Sequence, residues 1–126
     1  MKHIKEHEVE GERFSAPYAR TIKHLAAPWT LGTRGLWMGV SKVDPGYTSN
    51  EHAHDDLEEI FYVISGHGRI RVGGEEEPIE PGSCIYVPTN TPHQLINTAD
   101  ETLKVLSVTS PPFVPDKFKS VHLADS

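Results

Sequence analysis

The chain has 126 residues, ten Gly, ten Pro and a net charge of −6 with histidine neutral. That length suits one domain with a sizeable core, and the acidic balance excludes nucleic acid as the expected partner, because phosphate binding needs a basic face. The single cysteine, Cys84, rules out an internal disulfide, and no apolar run approaches membrane-spanning length. The polar residues 1–8 lack the apolar centre of a secretory leader, so a cytoplasmic protein with no membrane partner is expected.

In chain order, residues 1–17 are polar and charged and predict a loose arm with at most a short strand. Residues 18–25 mix apolar and basic side chains, a weak strand. Residues 35–43 form a better one, apolar on both faces in its first half, and Asp44-Pro45-Gly46 closes it with turn chemistry. The apolar run 60–64 predicts a buried strand. Residues 69–72 alternate polar and apolar, Gly73-Gly74 fits a two-residue hairpin turn, and 75–79 is the return strand. Strands are further predicted at 83–87, 93–97 and 102–109, with a rigid Pro-rich loop at 88–92. In the tail, Phe113 and Phe118 are candidates to dock, and a short helix from Asp116 is the alternative. No helical period of useful length appears. Short strands about every ten residues, separated by turns, predict an all-β sandwich or closed barrel.

One stretch carries chemistry. His52-Ala53-His54 places two imidazoles two residues apart, on one face of an extended chain. Five residues on, Glu59 opens the run Ile60-Phe61-Tyr62-Val63-Ile64, so a carboxylate stands at the mouth of a buried strand. A buried carboxylate is costly unless paired or bound to a cation. Two imidazoles and this carboxylate make a metal site the natural reading. His93, delivered onto a strand by the Pro-rich loop, is the best candidate for a further ligand.

These residues resemble the signature of the cupin superfamily. Its first motif is Gly, five residues, His-x-His, three or four residues, Glu, six residues and Gly, met here by Gly46, His52, His54, Glu59 and Gly66. Its second is Gly, five residues, Pro-x-Gly, two residues, His, three residues and Asn, met by Gly82, Pro88, His93 and Asn97. Asn90 stands where Gly is usual, and Asn tolerates the positive φ such a turn needs. Glu58 also fits the looser first spacing, but only Glu59 lies six residues before Gly66.

The resemblance implies an all-β fold, a single cupin jelly-roll β-barrel (a double-stranded β-helix) over 1–126. Its core spans about 35–110, with a short N-terminal arm and a C-terminal tail. It implies one divalent metal ion, Mn, Fe, Ni, Co, Zn or Cu, held by His52, His54, Glu59 and His93, with positions left open for a small-molecule substrate. The expected function is metal-dependent chemistry on a small organic molecule, of dioxygenase, isomerase or lyase type, with Glu59 a possible base. The alternative is a non-catalytic cupin that binds or senses a small ligand.

Met38, Phe61 and Leu95 are the expected pocket-lining residues, with Trp37 the alternative to Met38, and the predicted lining includes no Arg or Lys to clamp an anion. Ile60, Tyr62 and Ile64 have the outward parity of their strand and require cover by the N-terminal arm or a second subunit, which leads to an expected homodimer. The remaining histidines, His3, His7, His24, His67 and His122, are expected on the surface or in the tail. Cys84 is expected to be a small core residue, and Glu75-Glu76-Glu77 a solvated tip.

Overall fold

The computed structural model describes residues 1–115. Phe118, His122 and the helix expected from Asp116 lie outside the described residues. The strands are β1 (Glu12–Phe14), β2 (Arg20–Ala26), β3 (Trp37–Val43), β4 (Glu58–Ser65), β5 (Gly68–Val72), β6 (Glu75–Ile79), β7 (Cys84–Val87), β8 (His93–Ile96) and β9 (Leu103–Ser110). They form two antiparallel sheets, one of order β1-β2-β3-β9-β4-β7 and one of order β6-β5-β8, in the manner of a jelly roll.

Alternation of side chains creates the inner faces. On β4, Glu59, Phe61 and Val63 are buried while Glu58, Ile60 and Tyr62 are exposed; on β9, Leu103, Val105, Ser107 and Thr109 are buried. A core cluster joins Phe61, Val63, Leu103 and Val105 of the large sheet to Ile70 and Leu95 of the small one. Glu59, Ser107 and Thr109, on the same inner face, stand outside this cluster. Gly66 and Asn90 are among the turn residues with positive φ. Gly66 has φ +87°, and a Cβ there would stand 2.4 Å from the Thr102 carbonyl oxygen, so glycine is required by both conformation and space. Asn90, in the place of the usual glycine, has φ +61°.

Asn97 locks the turn before β9 to the end of β3. Its buried amide nitrogen faces the carbonyls of Val43, Asp44 and Glu101 at 3.0, 3.2 and 2.8 Å, and its oxygen accepts from the Ala99 N–H at 3.0 Å. Asn97→Ala strands those groups in a place water does not reach, and should cost about 2 kcal/mol in chemical denaturation.

Three expectations change. Cys84 is exposed rather than in the core, because β7 turns Ile85 and Val87 inward and Cys84 and Tyr86 outward. His24 is buried, 8% exposed, where its Nδ1 accepts from Trp37 Nε1 at 3.1 Å. The N-terminal arm does not cover Ile60, Tyr62 and Ile64. Its short 3-10 turn, Glu6–Glu8, is tied instead to the outside of β2, β3 and β9, with Glu6 2.9 Å from Lys104 Nζ and 3.4 Å from Lys42 Nζ, and Lys23 bonded to the Glu6 carbonyl. The acidic tip of β6 is exposed as expected, although Glu76 pairs with Arg69 and Arg71 at 2.8 and 2.9 Å. Among the described residues no helix is long and apolar enough to cross a membrane.

Candidate metal centre

Backbone pairing assembles the histidines. The loop after β3 runs beside β8 and bridges it at Thr48–Ile96 and His52–His93. His52 and His93 exchange both backbone hydrogen bonds, at 3.2 and 2.9 Å, so their side chains stand side by side on one face, ring centroids 4.3 Å apart. His54 lies two residues on, its ring 4.9 Å from that of His52, and its carbonyl accepts from the Asn90 N–H at 2.7 Å. The turn that tolerates Asn90 thus anchors His54. The three imidazoles offer ligand atoms within 4.8 Å of one another.

Each of two rings is oriented from behind. His52 Nδ1 lies 2.8 Å from the Asn50 carbonyl, and His93 Nδ1 lies 3.0 Å from that of Thr91. A carbonyl only accepts, so Nδ1 carries the hydrogen and Nε2 presents its lone pair to the centre, as in histidine ligands of metal ions. Glu59 enters from β4. Ser107 on β9 donates to its Oε2, while its Oε1 lies 3.3 Å from His93 Nε2 and 3.8 Å from His54 Nε2. These close approaches lack hydrogen-bond alignment. Glu59 Oε1 and His93 Nε2 are both buried without a hydrogen-bond partner, an arrangement that costs energy unless something else occupies the space between them.

The electrostatics fit a cation there. Burial pushes the Glu59 carboxyl up, but His93, Ser107 and the positive charge of neighbouring imidazoles outweigh it and hold the group below the usual carboxylate range. Burial pulls His93 down, and the Glu59 carboxylate with the Thr91 carbonyl more than reverses this, leaving it raised. His52 and His54 are lowered, chiefly by burial. The centre therefore favours an ionised carboxylate beside imidazoles of which two, His52 and His54, resist taking a charge of their own. Nitrogen and carboxylate donors in this mix suit divalent ions from manganese to zinc.

The centre opens on a cavity of about 480 Å³, walled by Phe61, Leu95, Trp37 and Phe113. Met38, expected on this wall, does not line it. Trp37 does, because the register Trp37↔Thr109 turns it inward and Met38 outward. Phe113 docks edge-on to Trp37 and His54, with centroids 5.6 and 5.4 Å away. Glu58, the rejected alternative, faces solvent and accepts from the Tyr86 hydroxyl. Sequence reasoning missed Ser107, Glu12 and Arg20, and the cavity does contain a cation, Arg20. Ser107 had a signal, a hydroxyl in phase with the apolar Leu103 and Val105 on the inward face of β9.

The family model for the cupin domain matches residues 39–109, more than half of the chain. The chain belongs to the cupin family. A polyketide synthase protein, CurC of Streptomyces cyaneus, is 30% identical over 71% of this cupin and 58% of its own length. The oxalate-binding protein of Thermotoga maritima is 26% identical over 69% of this chain and 72% of its own. The crystal structure of a predicted oxalate decarboxylase from the same organism superposes with a TM-score of 0.77 at 23% identity, covering 86% of this cupin and 98% of that chain. The match spans only about half the length of some curated relatives, 50% for an uncharacterised protein of Methanocaldococcus jannaschii.

Proposed function

We propose that this cupin is a metal-dependent enzyme acting on a small organic molecule, and that His52, His54, His93 and Glu59 hold one divalent ion. The observation that carries the reading is the buried pair of orphaned atoms, Glu59 Oε1 and His93 Nε2, facing two further imidazoles at the head of an apolar cavity. When bound, the ion would supply Lewis acidity or, for a redox-active metal, dioxygen chemistry. The chain's own residues do the rest. Phe61, Leu95, Trp37 and Phe113 keep water from the ligand and raise the strength of every charge interaction beside it. Ser107 occupies Glu59 Oε2 and leaves Oε1, which faces the histidines, for the ion, so Glu59 would serve as a base only on releasing Oε1 from it. Isomerase and lyase chemistry would draw on such a base, and dioxygenase chemistry on the ion itself. The oxalate-binding relative and the polyketide protein support a small organic substrate.

The test is turnover in a screen of small organic acids, ketones and phenols, with oxygen uptake and product analysis. Turnover that vanishes on chelation and returns with one equivalent of a divalent ion supports the enzyme. A fully loaded protein that binds compounds and leaves all of them unchanged contradicts it.

The reading extends to a cytoplasmic homodimer of one-domain chains. Ile60, Tyr62 and Ile64 stay 41–46% exposed on the outer face of β4, and Tyr86 continues the patch on β7. Light scattering at micromolar concentration should give twice the chain mass, and a monomer mass contradicts the dimer.

A further inference from the structure

The cavity has a second pole. Arg20, on β2, is 9% exposed and lines the same cavity as the histidines. Its guanidinium is pinned on three sides. Nη1 donates to the Tyr18 carbonyl at 2.9 Å, Nη2 donates to Asn50 Oδ1 at 2.8 Å, and the group lies 4.3 Å above the ring of Phe14. All of these partners are neutral. Among the described residues no carboxylate comes within 4.0 Å of Arg20 to form an ion pair. Glu12 attracts it from farther off and lies 3.5 Å from His24 Nε2. Burial accordingly lowers the Arg20 pKa, with only Glu12 opposing.

A buried guanidinium without an ion pair is an expensive thing to keep. A guanidinium has five N–H groups, and two are spent here. The remainder belong to a fork suited to a planar carboxylate. Asn50 joins the two poles, since its side chain holds Arg20 while its carbonyl holds His52. Ile22, Phe61, Leu95 and Trp37 line the same cavity.

We infer that Arg20 is a specificity-determining residue that binds the carboxylate of an organic acid whose apolar body fills the cavity and whose far end reaches the histidine cluster. The inference rests on the proposed function for the role of that far end, but the Arg20 pole is testable without it. The acid enters with its carboxylate toward β2, the apolar wall selects its body, and the guanidinium replaces the water that the anion gives up. Neutral analogues lose this contact and leave the buried charge uncompensated.

The experiment uses the full chain stripped of metal by chelation, so that no ion competes for the carboxylate. Phenylacetate, phenylacetamide and phenyl phosphate are titrated by calorimetry and by the fluorescence of Trp37 in the cavity wall. The parent should bind phenylacetate at least about tenfold more tightly than the amide, the range expected when a charged hydrogen-bond partner is lost. Arg20→Gln should bring the two within about twofold of each other, and Arg20→Lys, with charge but no fork, should fall between. If Arg20→Gln does not fold, the Arg20→Lys ratio decides: a ratio reduced from the parent supports the assignment and an unchanged ratio overturns it. Equal binding of acid and amide by the parent, or a preference that survives Arg20→Gln, also overturns it. Phenyl phosphate bound more tightly than phenylacetate overturns the carboxylate assignment in favour of a phosphate monoester. Metal content, measured separately on unchelated protein, reports on the histidine cluster alone, so either pole can fail without the other.

Discussion

Replacing His93 with Ala should abolish metal binding. The parent, loaded with zinc or manganese and desalted, is expected to retain close to one ion per chain by mass spectrometry of the metal, and His93→Ala close to none. The affinity loss should exceed about 100-fold, because partners that merely orient a metal ligand already cost 10–100-fold. The reason is positional. His93 is 1% exposed, its Nδ1 faces the Thr91 carbonyl, and its Nε2 has no hydrogen-bond partner. It is also the backbone partner of His52 and the nearest imidazole to Glu59 Oε1. The variant loses one donor and the neighbour that keeps the Glu59 carboxyl low. Glu59 should then take up a proton more readily as the pH falls. Circular dichroism should show the parental fold, and parental metal affinity in the folded variant contradicts the ligand assignment.

Leu103→Ala should have the opposite signature, a large loss of stability with an unchanged site. Leu103 is fully buried, lies opposite Val43 across the β3–β9 ladder and belongs to the core cluster between the sheets. Its side chain also fills the space beside Gly68, 3.1 Å from where a Cβ would stand. Truncation leaves a void that the flanking strands cannot close, at a cost of about 3 kcal/mol. The thermal midpoint should fall by roughly 10 °C. Leu103 does not line the cavity beside the histidines, so ions per folded chain should match the parent. A midpoint within about 2 °C of the parent would mean that the core packs otherwise than described.

The two variants separate what was legible in the sequence from what was not. The strands with strong turns at their ends were readable, since Gly73 and Gly66 accept backbone that other residues resist. The parity of β4 counted from Glu59 and the alternation on β9 set the inner face, and with it Phe61 and the bare patch at Ile60 and Tyr62. The motif spacing brought His52, His54 and His93 into one group before any fold was known. Failures fall where burial depends on distant contacts. Arg20 and His24 sit on a strand with a mixed pattern, and a charge there reads as solvent-facing. They are buried because β1 folds over as an edge strand, putting Phe14 beneath Arg20 and Glu12 beside His24. Nothing within β2 encodes that cover. Cys84 lies in a run with no period of two to read, and the parity of β7 is fixed only by its pairing with β4. Met38 and Trp37 are both apolar, and only the ladder to β9 decides which faces in.

That distinction bears on substrate as well as on fold. The histidine cluster is encoded locally, within two short stretches, while the opposite wall of the cavity is built by the first third of the chain through long-range pairing. Chains with the same two motifs can therefore differ in that wall, and Arg20 gives this one its particular character.

The central claim is that three imidazoles and one carboxylate oxygen hold a single ion. X-ray absorption at the metal edge of the loaded protein tests it most directly. The account predicts a first shell of nitrogen and oxygen near 2.1 Å, as roughly expected for imidazole and carboxylate ligands, with the outer-shell scattering of about three imidazole rings. A shell of oxygen alone, or one lacking imidazole scattering, would contradict it.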